Sequence, residues 1–204
     1  MGFYSDVIIP VFFDNSMDKP HIQEARKKTL ENVCGEVLEI GFGTGLNLPH
    51  YPDSVTSLTL IDKNPGMIRI AQERIKQSNI KVESKLVNGE ELPFENQSFD
   101  SVVSTYTLCS IKNVDLALKE IYRVLKQDGK FFFKEHGLSD DLKIQKWQNR
   151  INPFQKTLAN GCNLNRDFKK LLEAAGFKFE VLKNYVMVGS SKTHGYTYEG
   201  RAVK

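Results

Sequence analysis

Residues 37–47 read VLEIGFGTGLN: a short apolar run, then glycines at 41, 43 and 45. An apolar run of this length bounded by glycine reads as a buried strand. Three glycines at its end let the chain turn tightly into a helix while a ligand approaches the backbone closely. Dinucleotide enzymes also use a glycine turn here, but with the spacing G-x-G-x-x-G and a pyrophosphate at the helix amino end. In this chain the spacing is G-x-G-x-G, and Glu39 stands two residues before the first glycine. A carboxylate there opposes an anion and favours a ligand with an ammonium group, such as a methionine moiety.

Outward from this turn, short apolar segments rich in β-branched and aromatic residues alternate with amphipathic ones, which is the pattern of an α/β sheet. Strands are expected at Glu36 to Ile40, Ser57 to Asp62, Lys81 to Val87, Ser98 to Thr105, Lys130 to Glu135, Lys178 to Lys183 and, on a weaker pattern, Tyr196 to Val203. Helices are expected at Pro65 to Gln77, with Asn64 as its cap, at Asn113 to Lys126, and at Arg166 to Ala175 before Gly176. Strands separated by helices of this length imply parallel, right-handed crossovers and a sheet covered on both faces. Between Gly137 and Asn165 the rhythm breaks for roughly 30 residues, longer than ordinary connections. That insertion contains Trp147, the only tryptophan, and the turn Gly161-Cys162-Asn163.

The 204 residues make one domain, with no linker, repeat or low-complexity tract to divide them. Forty per cent apolar and 26% charged residues exclude disordered and fibrous classes. A net charge of +3 is too mild to announce nucleic acid. The three cysteines, Cys34, Cys109 and Cys162, show neither a disulfide framework nor a C-x-x-C metal spacing, so no metal is expected and a reducing cytosol fits best. The N-terminal apolar run Val7 to Phe13 is interrupted by Pro10, lacks a preceding basic residue, and is too short to cross a bilayer. With Phe3 and Tyr4 it is expected to pack on the core, fold over a pocket as a flap, or touch a membrane surface.

Further ligand-binding residues fall at the carboxyl ends of the expected strands, where open α/β sheets bind ligands. Asp62 lies about 20 residues past the first glycine, where a carboxylate accepts from both hydroxyls of a ribose. Asn88 follows the third strand and offers an amide oxygen to an adenine amino group, while Ser104 and Thr105 end the fourth.

The segments LEIGFGTG, Asp62-Lys63-Asn64 with Met67, Glu90 to Phe94, FDSVV and IYRVLKQDG together resemble the class I S-adenosylmethionine-dependent methyltransferases, in the ubiquinone-biosynthesis-like branch. The resemblance implies a Rossmann-like sheet of seven strands in order 3-2-1-4-5-7-6 with the last strand antiparallel. It implies S-adenosylmethionine as cofactor, with Glu39 and Gly41 near the methionine part, Asp62 on the ribose, and Asn88 with Gly89 near adenine. Phe42, Gly43, Gly45, Asn47, Lys63, Met67 and Glu90, with Ser104 and Thr105 at the sheet edge, complete the expected cofactor-binding set. Two positions depart from the family pattern: Asn88 replaces a common acid, and Leu125 to Gly129 replaces a frequent Leu-Lys-Pro-Gly-Gly turn. Beyond the core, GLNLPHYP, YTLCSIKN, FFKEHG, KWQNRINP, LANGCNLNR and YEGRAVK are similar to the membrane-anchored alkyl thiol methyltransferases of animals. That likeness implies a thiol or partly hydrophobic small-molecule acceptor.

A free thiol is mostly protonated at neutral pH, so methyl transfer to it gains from a base or an orienting group. His136, after the fifth strand, is the catalytic candidate; a structural hydrogen bond at the strand end is its alternative role. Tyr4, Tyr106, Cys109, Trp147 and Cys162 are candidates for the acceptor pocket, with packing as the alternative for each. Residues 1–33 then form an N-terminal flap and helix, and 137–165 a substrate lid. The Asp/Asn-Pro-Pro-Tyr motif that adenine methyltransferases of this fold resemble one another in is absent, so no nucleic acid partner is expected. Phospholipid amines, arriving at a peripherally bound enzyme, are the alternative acceptors. A non-catalytic cofactor-binding module is the alternative function.

Overall fold

A computed structural model describes residues 4–204, apart from the side chain of Ser5; Phe3 lies outside the described residues. Seven strands form one sheet: β1 (Gly35–Ile40), β2 (Val55–Asp62), β3 (Lys81–Leu86), β4 (Phe99–Thr105), β5 (Leu125–His136), β6 (Lys178–Val186) and β7 (Tyr196–Val203). Their order is β3-β2-β1-β4-β5-β7-β6, the order implied by the resemblance. β1 to β5 run parallel, and β7 is antiparallel to both neighbours. The central strands β1 and β4 are hydrogen-bonded to each other although β2 and β3 intervene in sequence, which places a topological switch point between them.

Alternation along each strand sends side chains to two separate cores. Leu38, Ile40, Val102, Phe131 and Phe133 face one core with helices α4 (Val114–Val124) and α6 (Phe168–Ala174). Val37, Leu58, Leu60, Val103 and Phe132 face the other, closed by Leu30 of α2 (Pro20–Leu30) and Ala71 of α3 (Pro65–Lys76). The run Phe131-Phe132-Phe133 therefore serves both faces of β5, which only a strand buried on both sides permits.

Local chemistry explains the helix starts. Asn64 accepts from the backbone N–H of Gly66 at 2.8 Å, and Pro65 occupies the first turn, where a missing N–H costs nothing. Asn113 caps α4 through the N–H of Leu116 at 3.2 Å. The expected helix to Lys126 stops instead at Val124, because Leu125 already pairs with Phe99 as the first residue of β5. His136 is correspondingly the last residue of β5, opposite Thr197 of β7.

The insertion contains a helix, α5 (Leu142–Leu158), capped by Asp141 and carrying Pro153 in its interior. The N-terminal apolar run is helical too. A π-helical turn at Tyr4–Ile8 leads into α1 (Ile9–Met17), which accepts Pro10 in its first turn. Both lie against α3: Arg69 donates to the Asp6 carbonyl at 3.0 Å, and Arg74 pairs with Asp14 at 2.8 Å. Contact is close enough that a Cβ on Gly66 would lie 1.9 Å from the Asp6 carbonyl oxygen. Among the described residues no helix is long and apolar enough to cross a membrane.

Candidate functional site

The carboxyl ends of β1, β2, β4 and β5 open into a cavity of about 260 Å³ at the switch point. One end is built around the glycine turn. Gly41 and Gly43 have φ of +66° and +58°, a region that side chains with a Cβ adopt only under strain. A Cβ on Gly41 would lie 2.0 Å from Thr107, whose hydroxyl donates to the Gly41 carbonyl at 2.9 Å, so this glycine lets β1 and the loop after β4 meet. A Cβ on Gly43 would meet nothing within 4 Å, which leaves a cradle facing the cavity.

Asp62, the last residue of β2, accepts from the backbone N–H of Gly43 at 3.0 Å and of Asn64 at 2.8 Å. Its carboxyl is pushed above the ordinary value by burial, with those two N–H groups opposing the shift. Phe42, Lys63, Met67, Asn88, Gly89 and Glu90 line the same end. The Asn88 amide oxygen already accepts from the N–H of Glu90 at 3.3 Å, and the Glu90 carboxylate accepts from the N–H of Asn113 at 3.0 Å.

Glu39, Gly45, Asn47 and Ser104 are not among the lining residues and support the floor from beneath. Glu39 accepts from Asn47 at 2.7 Å and from the Tyr51 hydroxyl at 2.7 Å. Burial raises its pKa against those bonds. Asn47 in turn accepts from Arg26 at 2.9 Å, and Arg26 also donates to Thr105 at 3.1 Å. Arg26 lines the cavity, lies 5.4 Å from the Tyr106 ring centroid, and keeps a buried Nε without a partner. It had one local signal: an arginine in the stripe Ile22, Arg26, Leu30 that α2 otherwise buries as apolar residues.

The other end of the cavity is built by contacts across the chain. Glu135 is fully buried on β5, and its carboxylate accepts from Ser104 at 2.8 Å and from the N–H groups of Thr107, Leu108 and Cys109 at 3.0, 3.0 and 3.1 Å. It thereby fixes the loop after β4, which turns through Tyr106 at φ +57°. Burial raises the Glu135 pKa, and those donors oppose the shift. The chain after α5 is tied to the same loop: Asn163 donates to the Cys109 carbonyl through its N–H at 2.8 Å and its side chain at 3.0 Å, and Arg166 donates to the carbonyls of Leu108 and Ile111.

These bonds bring Cys109, His136 and Cys162 together at the cavity wall, their donor atoms all within 4.8 Å of one another. The two sulfurs are 3.6 Å apart. The His136 ring packs against Tyr106 with centroids 5.0 Å apart, and its Nε2 is buried without a hydrogen-bond partner. Of the two thiols Cys162 ionises first, its pKa lowered by its contact with Cys109 and then by His136. Cys109 is pushed well above the usual thiol value by that same contact and by burial. Nothing in the spacing of these three residues signals the cluster.

Tyr106, Cys109, Cys162 and His136 thus share the cavity, whereas Tyr4 and Trp147 do not line it. Tyr4 is 62% and Trp147 58% exposed, each on the outer side of its helical segment. The elements expected to carry them inward present other residues instead: Phe13 and Met17 from α1, and Gln155 and Ala159 at the end of α5.

Residues 38–133 match the family model described as a methyltransferase domain. The chain is 36% identical over 145 residues to the human thiol S-methyltransferase TMT1A, covering 69% of this chain and 59% of that protein. It is 28% identical over 173 residues to the ubiquinone/menaquinone biosynthesis C-methyltransferase UbiE of Rhizobium rhizogenes, covering 74% of this chain and 67% of the relative. The chain spans only about three-fifths of the length of the thiol methyltransferase relative. In fold it is similar to a chain from the complex of the Haloferax volcanii Trm112 methyltransferase activator with a methyltransferase, with a TM-score of 0.72, 16% identity, and coverage of 96% of this chain and 95% of that one. The open cradle at Gly43, the Asp62 carboxylate beside it and the apolar wall of Met67 and Ile111 fit a nucleoside joined to an amino-acid tail. Residues 38–133 are thus a methyltransferase domain, set in a sheet with the class I methyltransferase strand order, and the cavity's chemistry fits the cofactor of that family, S-adenosylmethionine.

Proposed function

We propose that this chain transfers the methyl group of S-adenosylmethionine to the sulfur of a small, partly hydrophobic thiol. The observation that carries the reading is the single continuous cavity that joins the Gly43 and Asp62 end to the Cys109, His136 and Cys162 end. Similarity to a thiol S-methyltransferase at 36% identity supports the choice of acceptor.

When bound, S-adenosylmethionine supplies a methyl group already activated on a sulfonium, so the protein's task is alignment, worth up to roughly 7 to 11 kcal/mol. Asp62 accepts from the ribose hydroxyls while keeping its bonds from Gly43 and Asn64, since a carboxylate has about four lone-pair sites. The glycine turn admits the cofactor's backbone-facing edge, and Asn88 to Glu90 bound the adenine end. Phe13 and Met17 of α1, and Ala159 after α5, cover the cavity with apolar surface and exclude water. His136 lines the acceptor end of the cavity beside Tyr106 and takes the catalytic role there. Tyr106 and the two cysteines shape the space around the acceptor's sulfur.

The test is incubation of purified protein with methyl-labelled S-adenosylmethionine and, separately, an alkyl thiol panel and phosphatidylethanolamine vesicles, with mass spectrometry of each product. Label in thioethers is the expected result, lost in His136→Ala. Label confined to lipid head groups overturns the thiol reading in favour of amine acceptors. Tight S-adenosylhomocysteine binding with no labelled product from either pool makes the chain a non-catalytic module.

A further inference from the structure

We propose that Cys109, His136 and Cys162 form a three-ligand site for a thiophilic divalent cation of the zinc class, with its fourth position open to the acceptor. That last clause rests on the thiol reading above; the metal site itself does not.

Three observations converge. The donor atoms of the three residues lie within 4.8 Å of one another, the only such group among the described residues. The two sulfurs are 3.6 Å apart. Tetrahedral zinc with Zn–S bonds of about 2.3 Å separates two thiolate ligands by roughly 3.8 Å, so the pair needs almost no rearrangement to share an ion. A disulfide would instead require the sulfurs to close to about 2.05 Å. Third, the buried Nε2 of His136 has no hydrogen-bond partner, an arrangement that proteins rarely tolerate without a ligand, water or ion to satisfy the nitrogen.

The ligands are also held before any ion arrives. His136 sits in the β5–β7 ladder opposite Thr197. Cys109 is fixed on both sides of its peptide, its N–H to Glu135 and its carbonyl to Asn163. Cys162 closes a turn through its N–H to the Ala159 carbonyl at 3.0 Å. One ligand on a strand and two in turns pinned by backbone hydrogen bonds keep the geometry that metal binding needs. Two cysteines and one histidine with one position left open is a catalytic rather than a structural zinc arrangement. All three residues line the cavity, so the open position faces the space where the acceptor enters.

The chemistry this adds is activation of the acceptor. Two thiolates and a neutral imidazole cancel the charge of a divalent ion, so the metal-loaded site is electrically neutral at a buried wall before the acceptor enters. An incoming thiol binds through sulfur and releases its proton to solvent, which leaves a metal-held thiolate at neutral pH. Its remaining lone pair forms the new carbon–sulfur bond. The bond from the methyl carbon to the sulfonium breaks, and its electron pair stays on the sulfur of S-adenosylhomocysteine. The thioether product carries no charge, binds the ion more weakly and leaves. In this arrangement His136 works as a ligand of the ion.

The test begins with the metal content of the desalted protein. We expect roughly one zinc ion per chain, and after exchange into cobalt(II), thiolate-to-metal absorption in the near ultraviolet with the visible bands of a tetrahedral ion. Cys109→Ser, Cys162→Ser and His136→Ala should each lose the stoichiometric ion while S-adenosylhomocysteine affinity stays within about twofold; Cys34→Ser, at an exposed thiol, should keep it. Should a cluster variant fail to fold, chelation of the wild type followed by zinc return asks the same question without substitution. Addition of an alkyl thiol should shift the visible cobalt bands. Less than about a tenth of an ion per chain, with both buried thiols free or joined in a disulfide by mass, overturns the site even when thioether product forms, and leaves the proposed function standing. A stoichiometric ion whose bands ignore thiols, with label found only in lipid amines, keeps the site and overturns its fourth ligand together with the thiol reading.

Discussion

The two ends of the cavity are built in opposite ways. At the cofactor end the decisive groups come from stretches contiguous in sequence: Gly41 to Gly45 on one turn, Asp62 to Met67 on the next, Asn88 to Glu90 on a third. Their bonds run from backbone N–H groups to side-chain oxygens within and between those turns, such as Asn64 to Asp62 and Gly43 to Asp62. At the acceptor end each group comes from a different element, and the bonds that hold it cross from β5 to the loop after β4 and from the chain after α5 to the same loop. A site of the first kind survives as long as its turn survives. A site of the second kind depends on one buried carboxylate, Glu135, and on the docking of an insertion.

Gly43→Val should produce the largest effect and confine it to the cofactor end. The added side chain projects into open cavity rather than into protein, at a φ that also disfavours it. Calorimetric affinity for S-adenosylhomocysteine should fall by more than about 100-fold, with the backbone strain lowering stability by roughly 1–3 kcal/mol and leaving a folded chain. Affinity near wild type would remove the glycine turn from the site. Glu135→Gln should do the reverse. It deprives the loop of a charged acceptor shared by three backbone donors, and its amide turns a donor toward one of them. The expected loss is about 1.5–3 kcal/mol of stability, a fall in Tm of roughly 3 to 12 °C, with acceptor KM raised and S-adenosylhomocysteine affinity kept. Equal losses at both ends would show that the two are not separable.

Asp62→Ala is a smaller change at the cofactor end. It removes charge-assisted bonds to the ribose and the clamp on Gly43, and cofactor affinity should weaken by about 1.5–3 kcal/mol, roughly 10- to 150-fold. An unchanged Kd would place the ribose elsewhere.

The same contrast decides what the sequence disclosed. The glycine turn and the Asn64 cap were legible because each is a contiguous motif, and the strand order was legible through the family resemblance that such motifs carry. The placement of Arg26 was half legible, as a charge in an apolar stripe. The gathering of Cys109, His136 and Cys162 was not, because spacing along the chain carries no trace of a contact made through β5 and the return from α5. Trp147 and Tyr4 illustrate the converse limit: composition marks an aromatic residue as a pocket candidate, but helix phase decides which face it takes, and both take the outer one. The N-terminal run became helical because Pro10 falls in a first turn, where proline is tolerated, rather than inside the helix.

The subtlest test uses pH. Burial raises the Asp62 pKa in the empty cleft, so its ionised form is the one the fold disfavours. A group whose folded pKa is raised contributes stability that is full below its unfolded value and is lost as pH rises through the folded one, so the empty chain loses this contribution on going from acid toward neutral pH. Glu39 and Glu135, both raised by burial, act in the same direction. Ribose hydroxyls donating to Asp62 favour its carboxylate, so binding releases a proton wherever the empty cleft holds one. Cofactor affinity should therefore fall as pH drops through the raised Asp62 pKa and level off above it, and calorimetry in buffers of different ionisation enthalpy should register the released proton. The slope belongs to Asp62 only if Asp62→Ala flattens it while keeping its weaker affinity at neutral pH. A slope that persists in that variant would assign the proton to Glu39 beneath the glycine turn, and would make the floor of the site, not its lining, the part that senses the cofactor's charge.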